Sequence, residues 1–333
     1  MRAAGTTKRS LWSFAAVVGL LAAALLWSVL SGSLQVNLPE LLQGLVTGTN
    51  DNVAIIRDLR LPRVIVAMFS GAALAVSGVL LQSVMRSPLA DAGVIGISSG
   101  AGFVSLTMVT IFPALFFWMP LFAFLGGAFA CLLVFFLSWK SGLQPLRLIL
   151  VGIAVNATFT GLGQSFNYRG SYAVTMVNMA TTSIFNLKTW EDVRIIVLYG
   201  SIGLILALLV SPWCNVLVLQ DKTARNLGMH VSRVRIAVSA VAVLLAATAT
   251  AIGGLIAFVG LLVPHIARLL VGSDHKVLIP FSALAGALLI LVADTLGRTL
   301  LAPVEIPASI IMTVIGGPFL IFLLRKGEVN HGD

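Results

Sequence analysis

The stretch IAVSAVAVLLAATATAIGGLIAFVGLLVPHIARLLVG, from Ile236 to Gly272, carries no charge until Arg268 and is too long for one membrane crossing. About 20 apolar residues cover the ~30 Å hydrocarbon core of a bilayer. The run therefore holds either two short spans broken at Gly253-Gly254 or one span followed by a re-entrant segment. The parity of everything that follows depends on this choice. Reading two spans gives ten in all, near residues 11–30, 64–84, 93–111, 116–138, 146–166, 193–211, 234–252, 254–271, 277–297 and 306–324. Lys and Arg gather on the cytoplasmic side of membrane proteins. With ten spans and an inner N-terminus, Arg57, Arg60, Arg63, Arg169, Lys188, Arg194 and Arg298 fall outside, and the other 14 of the 21 basic residues fall inside. Nine spans would move Arg298 inward and strand Arg325 and Lys326 outside, a less consistent distribution. The expected fold is an all-α polytopic membrane protein of about ten transmembrane helices, a single transmembrane domain over residues 1–333 with both termini cytoplasmic.

Composition supports this from the outside in. Of 333 residues 59% are hydrophobic and 10% charged, with a mean hydropathy of +1.04, which excludes an ordinary soluble domain. The net charge of +9 lacks the basic stripe with interleaved aromatics that marks nucleic-acid binding. Cys131 and Cys214 have no partner at metal or redox spacing. Arg2, Lys8 and Arg9 ahead of the apolar run Leu11–Leu30 could open a secretory signal, but the run has the length of a span, and an uncleaved first helix is expected. Trp12, Trp27, Trp118, Trp139, Trp190 and Trp213 fall at span ends, where indoles prefer to sit. Clusters such as Gly71-Ala72-Ala73, Gly126-Gly127-Ala128 and Gly286-Ala287 predict close helix contacts. Gly78 and Gly260 each lie eight residues before an arginine, Arg86 and Arg268, each followed by an aspartate, Asp91 and Asp274, a faint parallel repeat.

Three loops carry information. Leu219–Arg235, LQDKTARNLGMHVSRVR, has helix formers up to Leu227 and a stop at Gly228; it reads as a short surface helix for a soluble partner or as a plain positive-inside loop. Met85–Gly93 carries Pro88 and Gly93 and reads as a gate or a tight turn. Asp58–Arg63, with Arg298 on the same side, reads as a carboxylate-docking surface or as lipid anchoring. Asp294 and Glu305 lie near span ends, where pairing is expected rather than ion transport. His265 stands without a second ligand at helical spacing, so no metal site is expected. No phosphate loop, HExxH or GxSxG is present, so neither nucleotide binding nor catalysis is expected of this chain.

Taken together, RLPRVIVAMFSGAALAVSGVLLQSVMRSPLADAGVIGISSGAG (Arg60–Gly102), LILVGIAVN from Leu148, LVLQDKTARNLGMHVSRVR from Leu217 and the long run from Gly253 to Pro307 resemble the FecCD family. These are permease subunits of ATP-binding-cassette importers for iron-siderophores, haem and cobalamin. The resemblance implies a bundle like that of the cobalamin-importer permease. Its partners would be a second, related permease subunit, two ATPase subunits that hold ATP and Mg, and an extracellular substrate-binding protein. The chain itself would bind no cofactor. It implies binding-protein docking at Arg60, Arg63 and Arg298, ATPase coupling over residues 220–231 with Gln220, Ala224, Leu227, Gly228 and Val231, and a cytoplasmic gate of Ser87 and Leu89 opposite Pro145 and Leu146. Three departures stand out: Ser-Pro-Leu replaces the usual Asn-Pro-Leu at the gate, Ala308 replaces a common glycine, and Ala180–Phe185 replaces Trp-x-x-Gly-Ser. The expected cargo is an iron-siderophore complex, with haem or cobalamin as the alternative and an ion-coupled secondary transporter as the rival mechanism; the latter would need an ionisable residue near mid-membrane, and none stands out in the first seven spans.

Overall fold

The computed structural model describes residues 2–31, 56–93, 95–138, 145–165, 185–186, 188–302 and 304–329. The described residues form eleven α-helices and no strand: α1 (Arg2–Leu30), α2 (Leu61–Met85), α3 (Ile97–Ile111), α4 (Met119–Ser138), α5 (Pro145–Gln164), α6 (Trp190–Leu217), α7 (Asp221–Asn226), α8 (Val231–Gly253), α9 (Val259–Val271), α10 (His275–Thr299) and α11 (Ala308–Val329). Six of them are long and apolar enough to cross a membrane, and α3, α9 and part of α11 are shorter apolar helices. With interior and exterior both apolar, the helices are held by close packing and by internal satisfaction of every backbone group.

The hub is α2. In its apolar window 83% of residues are buried, against 22% for α1, so α2 is surrounded by protein while α1 stands at the rim. Small residues allow this. A Cβ at Gly71 would overlap the Gly286 carbonyl of α10, and one at Gly78 would overlap the Gly260 backbone of α9. The Ser77 hydroxyl donates to the Ala242 carbonyl of α8 at 2.8 Å. The two glycines of the sequence echo, Gly78 and Gly260, are thus packed on one another.

The deciding stretch resolves as a long helix and a short one. Helix α8 ends at Gly253, Gly254 turns the chain with φ 80°, and α9 begins only at Val259. At about 1.5 Å per residue its 13 residues cover roughly 20 Å, less than the apolar core. The expected span 254–271 is therefore helical only from Val259, and Gly260, packed on Gly78 of α2, puts the start of that helix inside the bundle. Two features stop the helix extending back to Gly254. Phe258 adopts a left-handed φ of 69°, its ring against Gly316 of α11, where a Cβ would overlap it. The buried Asp91 carboxylate lies against the backbone amides of Phe258 and Gly260, taking the place that a preceding turn's carbonyls would fill.

Candidate functional site

At the end of the bundle where α1 finishes and α2 begins, the three arginines singled out in the sequence come together, each with partners inside the chain. Arg63 Nε and Nη2 fork Asp294 of α10 at 2.9 and 2.8 Å, while Nη1 reaches Glu305 at 3.0 Å and also bonds Asn186. Its side chain is 12% exposed, that of Asp294 3% and that of Glu305 36%. Asp294 and Glu305 are thus helix-end partners as their positions suggested. Arg60 donates to the Val29 carbonyl at 2.9 Å, and Arg298 donates to the Ser31 carbonyl at 3.1 Å, to the Ser28 hydroxyl at 2.8 Å and to the Ser28 carbonyl. These are the carbonyls that the last turn of α1 leaves without helical partners, at the negative end of its dipole. The sequence showed the charges but not these acceptors, which lie 31 and about 270 positions away.

A cavity of about 430 Å³ opens between α3, α5, α11 and the extended segment before α9. Its polar lining comes from Ser98 and Ser99 of α3, Asn156 and Thr160 of α5, and Ser309 and Thr313 of α11, set among Leu255, Ile256, Ile310 and Val314. Hydroxyl and amide groups without charge can form passing hydrogen bonds and hold nothing tightly. Sequence reasoning did not single these residues out. The signal was there: Asn156 and Thr160, like Ser309 and Thr313, are polar pairs four apart in apolar helices and so share a face.

At the opposite end lies the loop between α6 and α8. The coupling segment expected over 220–231 is helical only as α7, Asp221–Asn226, and Val231 already begins α8. The stop is a Schellman motif: Gly228, at φ 80°, donates to the Arg225 carbonyl and Met229 to the Ala224 carbonyl. Gln220 precedes the helix in extended conformation, Ala224 and Val231 are buried, and Leu227 is exposed beside exposed Lys222 and Arg225. Asp221, at the first helical position, is held by Arg86 and, at 3.0 Å, by Arg235. Burial pulls this carboxyl upward, but the hydrogen bond from Arg86 and the charges of Arg235, Arg86 and Arg225 outweigh it and hold the carboxyl below the usual carboxylate range. Arg86 Nε also donates to the Leu217 carbonyl at 2.8 Å. One arginine therefore joins the ends of α2, α6 and α7.

The adjoining loop after α2 is tied down by Gln82, whose amide donates to the carbonyls of Pro88 and Gly260 at 3.0 and 3.1 Å. Ser87 is buried and its hydroxyl accepts the Leu89 N–H at 3.3 Å; Leu89 is half-buried. Pro145 and Leu146 open α5, where a proline's missing N–H costs nothing. Residues 139–144 and 180–184 lie outside the described residues, and with them the changed vestibule motif ahead of Phe185. Among the described residues no three His, Cys, Asp or Glu side chains come together, and His265 meets Phe319 edge-on at 5.6 Å.

With this geometry in hand, comparison with known proteins is specific. The FecCD transport family model matches residues 20–326. A probable heme-iron transport system permease protein, IsdF, of Staphylococcus aureus strain MSSA476 is 39% identical over 324 residues, 97% of this chain and 98% of the relative. Among solved structures, an inward-facing conformation of a putative metal-chelate type ABC transporter matches with a TM-score of 0.80 at 30% identity, covering 93% of this chain and 98% of that one. PsaBC from Streptococcus pneumoniae, in complex with Fab, shares the fold, with a TM-score of 0.61 at 15% identity over 86% of this chain and 95% of that one.

Proposed function

This chain belongs to the FecCD transport family, and from that premise we propose that it forms half of a pathway carrying an iron chelate, haem foremost, across the bacterial cytoplasmic membrane. It is a non-catalytic permease subunit of an ATP-binding-cassette importer. The observation that carries the choice of haem is the 39% identity, over nearly the full length of both chains, to a probable heme-iron permease. A ferric siderophore is the second reading, favoured by the likeness to a metal-chelate type transporter.

In this reading the end bearing Arg60, Arg63 and Arg298 faces outward and receives the carboxylates of an extracellular binding protein. The cavity between α3, α5 and α11 belongs to the translocation route, facing a second, related permease. Helix α7 and exposed Leu227 meet an ATPase subunit in the cytoplasm, where both termini also lie. ATP and Mg act there, on the partner. A push on α7 passes through Asp221 to Arg86 and Arg235, hence to the ends of α2 and α8, and α2 packs against α1, α6, α8, α9 and α10. Loss of one outward state and gain of an inward one then needs only rigid helix movement. The weakly polar cavity lets a bulky chelate pass without trapping it.

The test is transport by the assembled importer in proteoliposomes, with haem and a ferric hydroxamate offered separately on their purified binding proteins. ATP-dependent accumulation of haem is expected. Accumulation of the hydroxamate alone would transfer the assignment to siderophores, and uptake driven by a proton gradient without the ATPase would overturn the importer mechanism.

A further inference from the structure

Of the groups around Arg63, one is placed to leave. Asp294 is buried and takes Nε and Nη2 of the guanidinium in a fork, a geometry that a partner protein cannot reach. Glu305 shares the remaining Nη1 with Asn186, with a third of its side chain exposed. An ion pair with one member open to water is cheaper to break than a fully buried one, and exchanging one carboxylate for another on the same donor leaves the arginine satisfied throughout. Glu305 therefore stands where an incoming carboxylate would stand.

Its position in the chain gives the exchange a consequence. Glu305 lies between α10 and α11, three residues before α11 begins at Ala308. Beside it the Ile306 N–H donates to the Gly297 carbonyl at 2.8 Å, an approach so close that a Cβ at Gly297 would overlap the Ile306 carbonyl. The first turns of α11 then carry Ser309, Ile310 and Thr313 into the cavity. The entry of this cavity-lining helix is thus fastened to α2 by the Arg63–Glu305 pair and to α10 by one backbone hydrogen bond.

We propose that Glu305 is an intrachain latch: it holds Arg63 in the free permease, and a carboxylate of the docking binding protein displaces it and releases the start of α11 at the mouth of the cavity. This rests on the reading of the arginine end as the binding-protein surface. The latch couples docking to opening, so that the outer mouth stays fastened until a partner is seated.

The experiment uses the complete importer in nanodiscs with its purified binding protein and compares wild type, Glu305→Gln and Glu191→Gln. Glu191 is an exposed acid in the first turn of α6 at the same end, outside both the Asp58–Arg63 segment and the Arg63 cluster, so its loss makes the same change in charge without touching the latch. Glu305→Gln is expected to tighten binding-protein affinity about five- to tenfold, by removing the internal competitor, while Glu191→Gln changes it by less than about twofold. A second readout is maleimide labelling of Ser309→Cys from the outer side, which is clean because Cys131 and Cys214 are both buried. Binding protein should accelerate labelling in the wild-type background, and in Glu305→Gln labelling should already be fast without it. Unchanged or weakened affinity in Glu305→Gln together with unchanged labelling would overturn the latch. Failure of the docking reading looks different: wild-type affinity would then ignore salt between about 50 and about 300 mM and ignore neutralisation of the binding protein's surface carboxylates.

Discussion

At one end of the bundle a single arginine, Arg63, is shared by two carboxylates, Asp294 and Glu305; at the other a single carboxylate, Asp221, is shared by two arginines, Arg86 and Arg235. The motif is the same with the signs exchanged, but the surroundings differ. Arg63 and Asp294 are nearly sealed from solvent, whereas the Asp221 side chain is 38% exposed. Breaking a buried pair strands a charge where nothing can solvate it, while breaking an exposed one lets water take over. The first cluster therefore secures the fold and leaves only its exposed member, Glu305, free to exchange. The second, open to water, is cheap to strain.

The strongest way to break this contrast is Arg63→Ala, which leaves Asp294 buried without a partner. It should cost about 3–5 kcal/mol, seen as a large fall in thermal unfolding temperature or in folded yield, and adding Asp294→Asn should restore part of the loss. If Arg63→Ala were as mild as Arg86→Ala, the two ends would be energetically alike and the distinction would collapse. Next is Gly228→Ala at the Schellman stop, where a side chain must adopt φ 80° at a cost of about 1–2 kcal/mol. Because nothing lies within 4 Å of Gly228, the strain falls on α7 itself, and transport-coupled ATP hydrolysis should fall more than stability. Asp221→Asn should change stability by less than about 1 kcal/mol yet uncouple ATP hydrolysis from transport. Smallest is a pH series. The Asp221 carboxyl is held below its ordinary range, so its contribution is fully present above an unfolded value near 3.9 and fades only as pH falls through the lower folded value. Coupling that depends on Asp221 should thus be flat from about pH 5 to pH 8, and a loss within that window that vanishes in Asp221→Asn would place the carboxyl in a different environment.

Much of this was legible in the sequence where the cause is local. Long apolar runs follow from the bilayer, the stop at Gly228 from the need for a left-handed residue after a helix, and the break at Gly253-Gly254 from paired glycines. The rest has causes far apart in the chain. The sequence placed a span from Gly254, because Leu255 to Phe258 are as apolar as any helix; what keeps them out of the helix is Asp91, more than 160 residues away, with the ring of Phe258 against Gly316. Arg60, Arg63 and Arg298 were legible as a group at one end of the bundle, but their internal partners in α1, α10 and the turn before α11 were not, since each pairing depends on how helices cross. The cavity residues were passed over because single hydroxyls in apolar helices usually bond back to their own backbone, as Thr158 and Thr248 do here.

The loose seating of α1 bears on how the protein is made. This helix is made before the other described helices, yet it is little buried, and its polar fastenings lie far along the chain: Arg9 to the Leu269 carbonyl at one end, Arg60 and Arg298 on the carbonyls of Ser28, Val29 and Ser31 at the other. Two of those three ties belong to α9 and α10, synthesised some 260 residues later. Until α9 and α10 are made, α1 is held only by Arg60 and the start of α2, and its full docking is a late step of assembly. An assembly factor or a stalled nascent chain would find it still undocked.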